Sequence, residues 1–587
     1  MIDLLLVDSI EFQKNCSTPQ LGLLSLKNLL NKKYSVEVIN FDYINYGLEA
    51  RIYEDSIDKT LENLEKYILD KEPKIIGFYT ICSSFQYSLL LAERIKNQRP
   101  LSYVIMGGPH ATVLSEEILS DFPFVDAICQ GESELQIVDF IGALLQGGFE
   151  KIPGAVYRLN GEVIKNKNSL LIPSDELKNY TVLDDEWYNT KRDEIVIEAG
   201  RGCPFACTFC SSSIFWGRRH RIKPVDDLIN EMKYFGEKYG INIFSFHHDI
   251  FTANKKHLHR FCSRIIEEEL PYNWICSSRL DVLDFETIEL LAKANCESIF
   301  IGIESGSQSM QKKLNKNLNL QYGRQIIKCL IDNKIKITAS FIYGFPHETL
   351  SEFKETVSMI EDLFIMKTYI VQYHLYFPLP KTPETDSIRD LLYFDESKID
   401  TSIYRRGRIN SKILDYIKNY PHLFLQYYTF NSEIRSRFIH IDLLVLIIFS
   451  FMDIYYHSIK ILIETYGLIV LYERYERLIH KYSLDLRFKT QLDSRELDVS
   501  SYLDLIDEIR SHEFNSHFSI FYDELFSYEN IICDYSLNNN KTEEIYSFDI
   551  DIVKAISLGI YKESQNMLKF SINNKKIKIS KIRLKAS

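Results

Sequence analysis

The first 150 residues alternate short, fully apolar runs with longer mixed ones. "DLLLV" (3–7), "SVEVINF" (35–41), "KIIGFY" (74–79), "YVIMGG" (103–108) and "VDAICQG" (125–131) read as buried strands. Helical stretches lie between and after them, at 21–32, 55–71, 84–98, 114–121 and 132–146. Strands alternating with helices predict an open, Rossmann-like parallel sheet covered on both faces. Such sheets bind ligands at the carboxyl ends of their strands, where the strand order reverses. The loops expected there are "PQLG" (19–22), "TICSS" (80–84), "GGPHAT" (107–112) and "GESE" (131–134). No Gly-x-Gly-x-x-Gly follows the first strand, which weighs against a dinucleotide.

Residues 151–190 read as a connector containing a small hairpin around Asn160-Gly161. A second alternation follows over 191–385. Its strands are "EIVIEAG" (194–200), "IFSFHHD" (243–249), "WICSSRL" (274–280), "SIFIGIES" (298–305), "ITASFIYGF" (337–345) and "YIVQYHLYF" (369–377). Six βα repeats predict a partial (β/α)6 barrel of the TIM type, with its chemistry at the C-terminal strand ends. From 386 to 587 the pattern turns mainly helical (410–428, 432–451, 453–483, 496–511) and closes on a lysine-rich tail. That last third shows no catalytic motif.

Composition removes several classes of function. A chain of 587 residues is expected to hold roughly three or four domains. Its 45% hydrophobic content suffices for packed cores, and a net charge of −12 provides no basic field for nucleic acid. The N-terminus lacks the basic stretch of a signal peptide. The longest uncharged apolar run, Leu443–Met452, is too short to span a bilayer. A cytoplasmic protein is expected. Its eleven cysteines would then sit in a reducing compartment, where clustering points to metal binding or catalysis rather than disulfides.

Three of those cysteines crowd into "GRGCPFACTFC" (200–210), directly after the first barrel strand. Cys203, Cys207 and Cys210 are soft ligands suited to zinc or an iron–sulfur cluster. Structural zinc wants four protein ligands, commonly two Cys-x-x-Cys pairs, and no second close pair exists in the chain. Zinc would need a distant fourth ligand. The alternative is a 4Fe-4S cluster with three irons held and one left open.

The loop resembles the signature of the radical S-adenosylmethionine enzymes, including an aromatic residue, Phe209, before the third cysteine. The resemblance implies that the open iron chelates S-adenosylmethionine, whose reductive cleavage gives a 5′-deoxyadenosyl radical. "FHHDIFTAN" (246–254) is similar to the family's DDxFxxN segment, with His248 in place of the first acid and Asp249 nearest the cosubstrate's amino group. On the same resemblance, Arg279 of "SSRLD" pairs with the methionine carboxylate, a task that suits a bidentate guanidinium. Glu304 and Ser305 of "GIESGSQ" meet ribose or amine, and Gly344 of "YGFPHET" lies near adenine.

The N-terminal sheet resembles the cobalamin-binding domain that one subclass of these enzymes carries. That implies cobalamin contacts from Thr80, Gly107, Gly108, His110, Gly131 and Glu132, with the paired glycines making room for the nucleotide tail. The Asp-x-His-x-x-Gly loop of some cobalamin enzymes does not follow strand one, so cobalt is expected without a histidine below it. In "YFPLPKTPETD" (376–386), Lys381 stands where the subclass usually has glycine.

The resemblance implies a cobalamin-dependent radical enzyme methylating an unactivated carbon of a small molecule or peptide, with flavodoxin or ferredoxin as electron donor. A cyclase, oxidase or rearrangement enzyme with the same cofactors is the alternative. A tRNA methylthiotransferase would need additional cluster cysteines and a basic RNA-binding domain. A non-catalytic iron–sulfur or zinc scaffold is the reading from outside enzymology.

Overall fold

A computed structural model of the chain describes residues 2–10, 20–39, 57–167, 170–185, 188, 193–401, 409–450, 452–489, 543–550, 563–573 and 576–582. The first sheet contains β1 (Leu4–Val7), β2 (Val36–Ile39), β3 (Ile75–Tyr79), β4 (Tyr103–Gly107), β5 (Ala127–Cys129), β6 (Ala155–Leu159) and β7 (Glu162–Lys165). Their order is β2-β1-β3-β4-β5-β6-β7. The first five are parallel, and the expected connector hairpin extends the sheet as the antiparallel β6–β7 edge. Order reverses between β1 and β3, which makes that crevice the switch point.

Alternation along each strand builds two separate cores. Leu5, Val7, Ile76, Phe78, Val104 and Met106 face one helical layer. Leu4, Leu6, Ile75, Ile105 and Ala127 face the other. Because successive side chains point to opposite faces, strands buried on both sides must be apolar throughout.

The second sheet contains β8 (Glu194–Glu198), β11 (Ile243–His247), β12 (Asn273–Ser278), β13 (Cys296–Glu304), β14 (Lys336–Tyr343) and β15 (Ile370–Leu375), after the short ribbon β9 (Gly200–Arg201) and β10 (Arg221–Ile222). The order β15-β14-β13-β12-β11-β8 is parallel throughout, a six-stranded partial barrel. Side-chain caps start the returning helices: Asn254, Asp284, Asn319 and Thr349 each accept a backbone N–H of the first turn. Thr349 and Glu352 complete a capping box.

Among the described residues, the C-terminal region packs on both earlier units. Ile413, Tyr416, Ile417, Leu423 and Phe424 join a core of the first sheet. Ile434, Phe438 and the helices Ile441–Ser450 and Met452–Lys489 contribute to the barrel core. No described helix is long and apolar enough to cross a membrane. Residues 543–550, 563–573 and 576–582 form an antiparallel three-stranded sheet, where the sequence pattern had suggested no strand. The helix expected at 496–511 lies outside the described residues.

Candidate active site

The three cysteines sit on a loop between β9 and β10, at the C-terminal mouth of the barrel. Cys207 is buried, Cys203 and Cys210 are half-buried, and none is in a disulfide. Neighbouring segments brace the loop through its other residues. Thr208 donates its N–H to the Leu314 carbonyl (3.1 Å) and receives one from Glu384 at its own carbonyl (3.1 Å). The Thr208 hydroxyl reaches Glu384 Oε2 at 2.8 Å, and Asn315 Nδ2 reaches the Ala206 carbonyl at 2.9 Å. Phe209 packs with Met310, Leu314, Phe345 and Tyr376. The thiols are thereby positioned by partners that leave sulfur available.

Burial pushes the Cys203 thiol up to about 11 and raises Cys210. A bound metal reverses that preference, because its charge stabilises thiolate. Among the described residues, no three His, Cys, Asp or Glu side chains converge as they would on a single metal ion. A cubane needs no such convergence, since each thiolate meets a different iron.

The strand ends surround this loop. Asp249 accepts the Gly202 N–H at 3.1 Å and the Ser212 hydroxyl at 2.5 Å, tying the two ends of the cysteine segment together. His248, in the position of the family's first acid, is buried against Gly200, and burial pushes its pKa down to about 3 despite a contact with the Gly202 backbone. Arg279 lies with its guanidinium 3.8 Å from the Phe205 ring centre and one Nη1–H 3.5 Å from Cys207 Sγ. Its forked face is already taken by Asp281 (two contacts of 2.9 Å), and Nη2 also reaches the Lys316 carbonyl at 2.7 Å. The structure therefore places Arg279 against the cysteine loop, with its fork closed.

Glu304 ends β13 beside a register shift, with φ +68, a left-handed backbone for a non-glycine residue. Lys316 Nζ holds its Oε1 at 2.8 Å in a buried pair. Ser305 differs from expectation. Its side chain is fully buried, shares a 2.9 Å hydrogen bond with Thr356 and accepts the Ser307 N–H at 3.1 Å. Gly344 turns at φ +72, donating its N–H to Glu348 Oε2 at 2.6 Å.

The N-terminal loops depart further from their expected roles. Thr80 is buried, its hydroxyl bridging the Gly107 carbonyl (2.9 Å) and the Ala111 N–H (3.0 Å). Gly108 has φ +87, and a Cβ there would stand 2.7 Å from the Thr80 carbonyl oxygen. Its missing side chain makes room for the protein's own backbone. At Gly107 a Cβ would meet only ordinary contact, 3.4 Å from the Cys129 carbonyl oxygen. His110 points into the helical core, its ring centre 4.4 Å from that of Phe85, with burial pushing its pKa down to about 3 despite a bond to the Leu423 backbone. Gly131 (φ +65) donates its N–H to Thr112 Oγ1 at 3.0 Å. Glu132 is committed to an ion-pair network.

That network joins the two sheets. Glu132 Oε2 accepts from Arg201 Nη1 (3.1 Å) and Arg221 Nη1 (2.8 Å), and its Oε1 accepts from Arg221 Nη2. Arg201 Nη2 also reaches Glu134 at 2.6 Å, and its Nε reaches Glu198 at 2.7 Å. All but Glu198 are buried. Burial opposes the Arg201 charge, and the carboxylates of Glu198 and Glu134 outweigh it, raising the pKa. Lys381 adds a second link, reaching Glu117 at 2.6 Å from a backbone with φ +61. It keeps the left-handed turn for which glycine is the usual residue.

Sequence reasoning missed Arg201, Arg221 and Glu384, whose partners are 69, 89 and 176 positions away, and Lys316, 12 positions from Glu304. The pairing of Asp281 with Arg279, two positions before it, escaped it too, although both stand in the same motif. It also missed Ser84 and Ser88, whose hydroxyls are buried without partners at the end of β3, beside the switch point. They sit one helical turn apart and so on one face. Two orphaned hydroxyls at the start of the helix after β3 suit a polar ligand better than the Gly107–Gly108 turn does.

A switch-point sheet joined to a partial barrel with three thiols at its mouth defines a radical S-adenosylmethionine enzyme that carries a cobalamin-type domain. The chain belongs to this family: residues 197–360 match the radical SAM superfamily, residues 16–141 match the B12 binding domain, and a relative 31% identical is matched over about three quarters of its length. That relative, an uncharacterised methyltransferase of Pyrococcus horikoshii, is 31% identical over 59% of this chain and 74% of its own length. The anaerobic magnesium-protoporphyrin IX monomethyl ester cyclase of Rubrivivax gelatinosus is 25% identical over 67% of this chain and 76% of its own. In fold, the chain is similar to the radical S-adenosylmethionine methyltransferase TsrM of Kitasatospora setae, solved with tryptophan and an S-adenosylmethionine analogue. The TM-score is 0.57 at 15% identity, over 76% of this chain and 88% of that one.

Proposed function

We propose that the protein is a cobalamin-dependent radical S-adenosylmethionine methyltransferase that methylates an unactivated carbon of a small molecule or peptide in the cytoplasm, with a flavodoxin or ferredoxin as electron donor. The observation that carries this reading is the buried Glu132–Arg201 junction, which ties the carboxyl end of β5 to the residue two positions before Cys203. An enzyme using both domains in one reaction needs their strand ends held together, and this junction does so.

When bound, the cluster with S-adenosylmethionine supplies hydrogen abstraction and cobalamin supplies methyl transfer. Cys203, Cys207 and Cys210 would hold three irons. Arg279 aims a charged N–H at Cys207 Sγ, which lowers the cost of negative sulfur there. Asp249 closes the loop's ends, and Phe209 fills the space behind it. Lys316 fixes one oxygen of Glu304, leaving the other for the cosubstrate's ammonium or hydroxyl groups. Ser84 and Ser88 would line the cobalamin crevice.

The similarity to the R. gelatinosus cyclase supports a second reading, with the same cofactors and no methyl transfer. Product analysis separates the two. Methylation forms S-adenosylhomocysteine and a product in which a methyl group has replaced a hydrogen, heavier by one CH2. Turnover that yields 5′-deoxyadenosine but neither of those would favour the cyclase-like reading.

A further inference from the structure

Arg435 lies on the short helix Glu433–Arg437, beside the ends of β14 and β15. Its Nη1 donates to the Tyr376 carbonyl at 2.8 Å and the Gly344 carbonyl at 3.3 Å, and Nη2 reaches Thr429 Oγ1 at 3.0 Å. The guanidinium carbon stands 4.5 Å from the Phe430 ring centre. The residue is 7% exposed, its Nε–H has no partner, and no described carboxylate pairs with it.

Carbonyls accept hydrogen bonds without neutralising a cation. A buried guanidinium with no counter-ion is costly, and a neutral donor could pin two carbonyls without that cost. Burial accordingly pushes its pKa down to about 10. Beside it lies a small cleft of about 40 Å³, lined also by Phe377, Asn431, Ser432 and Ser436. Phe430 belongs to the apolar cluster that contains Phe209, the neighbour of Cys210, so the cleft adjoins the packing behind the cysteine loop.

We infer that this cleft binds an oxyanion of the substrate, a carboxylate or a phosphate, with Arg435 as its counter-ion. Planar guanidinium suits both groups, and Asn431 and Ser436 add neutral polar groups at the wall. Only the word "substrate" rests on the proposed function; the anion site can be tested without turnover.

The test is thermal unfolding of the reconstituted full chain, titrated with inorganic phosphate and separately with acetate, against chloride at equal ionic strength. Wild type should show a saturable rise in Tm with at least one of the two, and the stronger ligand identifies the preferred oxyanion. Arg435→Gln should weaken that binding at least about tenfold, the scale of a lost charged hydrogen bond. Ser436→Trp, which fills the cleft and leaves Arg435 in place, should weaken it similarly and decides the matter if Arg435→Gln does not fold. Wild type that responds to neither anion, or a folded variant that binds like wild type, would overturn the inference. Iron content and cleavage of S-adenosylmethionine, followed in parallel, report on the proposed function separately.

Discussion

The cysteine loop and the Gly107–Gly108 turn lie at equivalent places, at strand ends of two parallel sheets, and use their residues in opposite ways. In the cysteine loop the braces come from outside, from Leu314, Asn315 and Glu384, and Arg279 donates to Cys207 Sγ, a contact that a metal-bound thiolate can keep. In the glycine turn the motif residues satisfy one another: Thr80 holds Gly107 and Ala111, and Gly108 is small because Thr80 is close. A motif residue can thus serve a ligand or serve the loop that holds it. Hydrogen-bond accounting, more than position at a strand end, separates the two cases.

The junction between the sheets offers the largest effect. Arg201→Ala leaves Glu134 buried without its partner and removes one of the two arginines on Glu132. Breaking a buried ion network in this way costs about 3–5 kcal/mol, read as a fall in urea or thermal stability. A loss under about 1 kcal/mol, the scale of a surface pair, would mean the junction does not hold the sheets together.

The glycine turn gives a smaller and more discriminating effect. Gly108→Ala should destabilise cobalamin-free protein by about 1–3 kcal/mol, through a left-handed backbone and the close Thr80 oxygen. Gly107→Ala should change stability by less than about 1 kcal/mol, since its backbone is extended and its nearest contact ordinary. Were Gly108 small for a ligand's sake, its alanine variant would be as stable as wild type without cobalamin.

Ser84→Ala and Ser88→Ala should show the smallest effect and the opposite pattern. Removing an unpartnered buried hydroxyl leaves the cobalamin-free stability equal or slightly higher. Cobalamin affinity should fall by about 0.5–1.5 kcal/mol, the worth of one hydrogen bond, measured by equilibrium binding. Unchanged affinity in both variants would remove them from the crevice lining.

What the sequence showed, and what it hid, follows from chain separation. The three-cysteine loop was legible because its spacing is local, and the two sheets because buried parallel strands are apolar throughout. Arg201 stands inside the same motif, yet its partner Glu132 is 69 positions away, and Thr208 meets Glu384 across 176. Such pairs exist only after folding. Gly108 was visible as a glycine but not what it makes room for, and Arg435 belongs to no motif. Lys381 was legible as a departure from glycine; its left-handed turn and its reach to Glu117 required the structure.

The central claim is that Cys203, Cys207 and Cys210 hold an open cluster for radical chemistry, and the release of 5′-deoxyadenosine tests it most directly. Anaerobically reconstituted wild type should carry about four irons per chain and, with a reductant, convert S-adenosylmethionine to 5′-deoxyadenosine. Cys203→Ala, Cys207→Ala and Cys210→Ala should each release none, and Cys129→Ala, altered outside the loop, should behave as wild type. Wild-type protein that binds a single metal ion and releases no 5′-deoxyadenosine, or any of the three loop variants with full activity, would contradict the account.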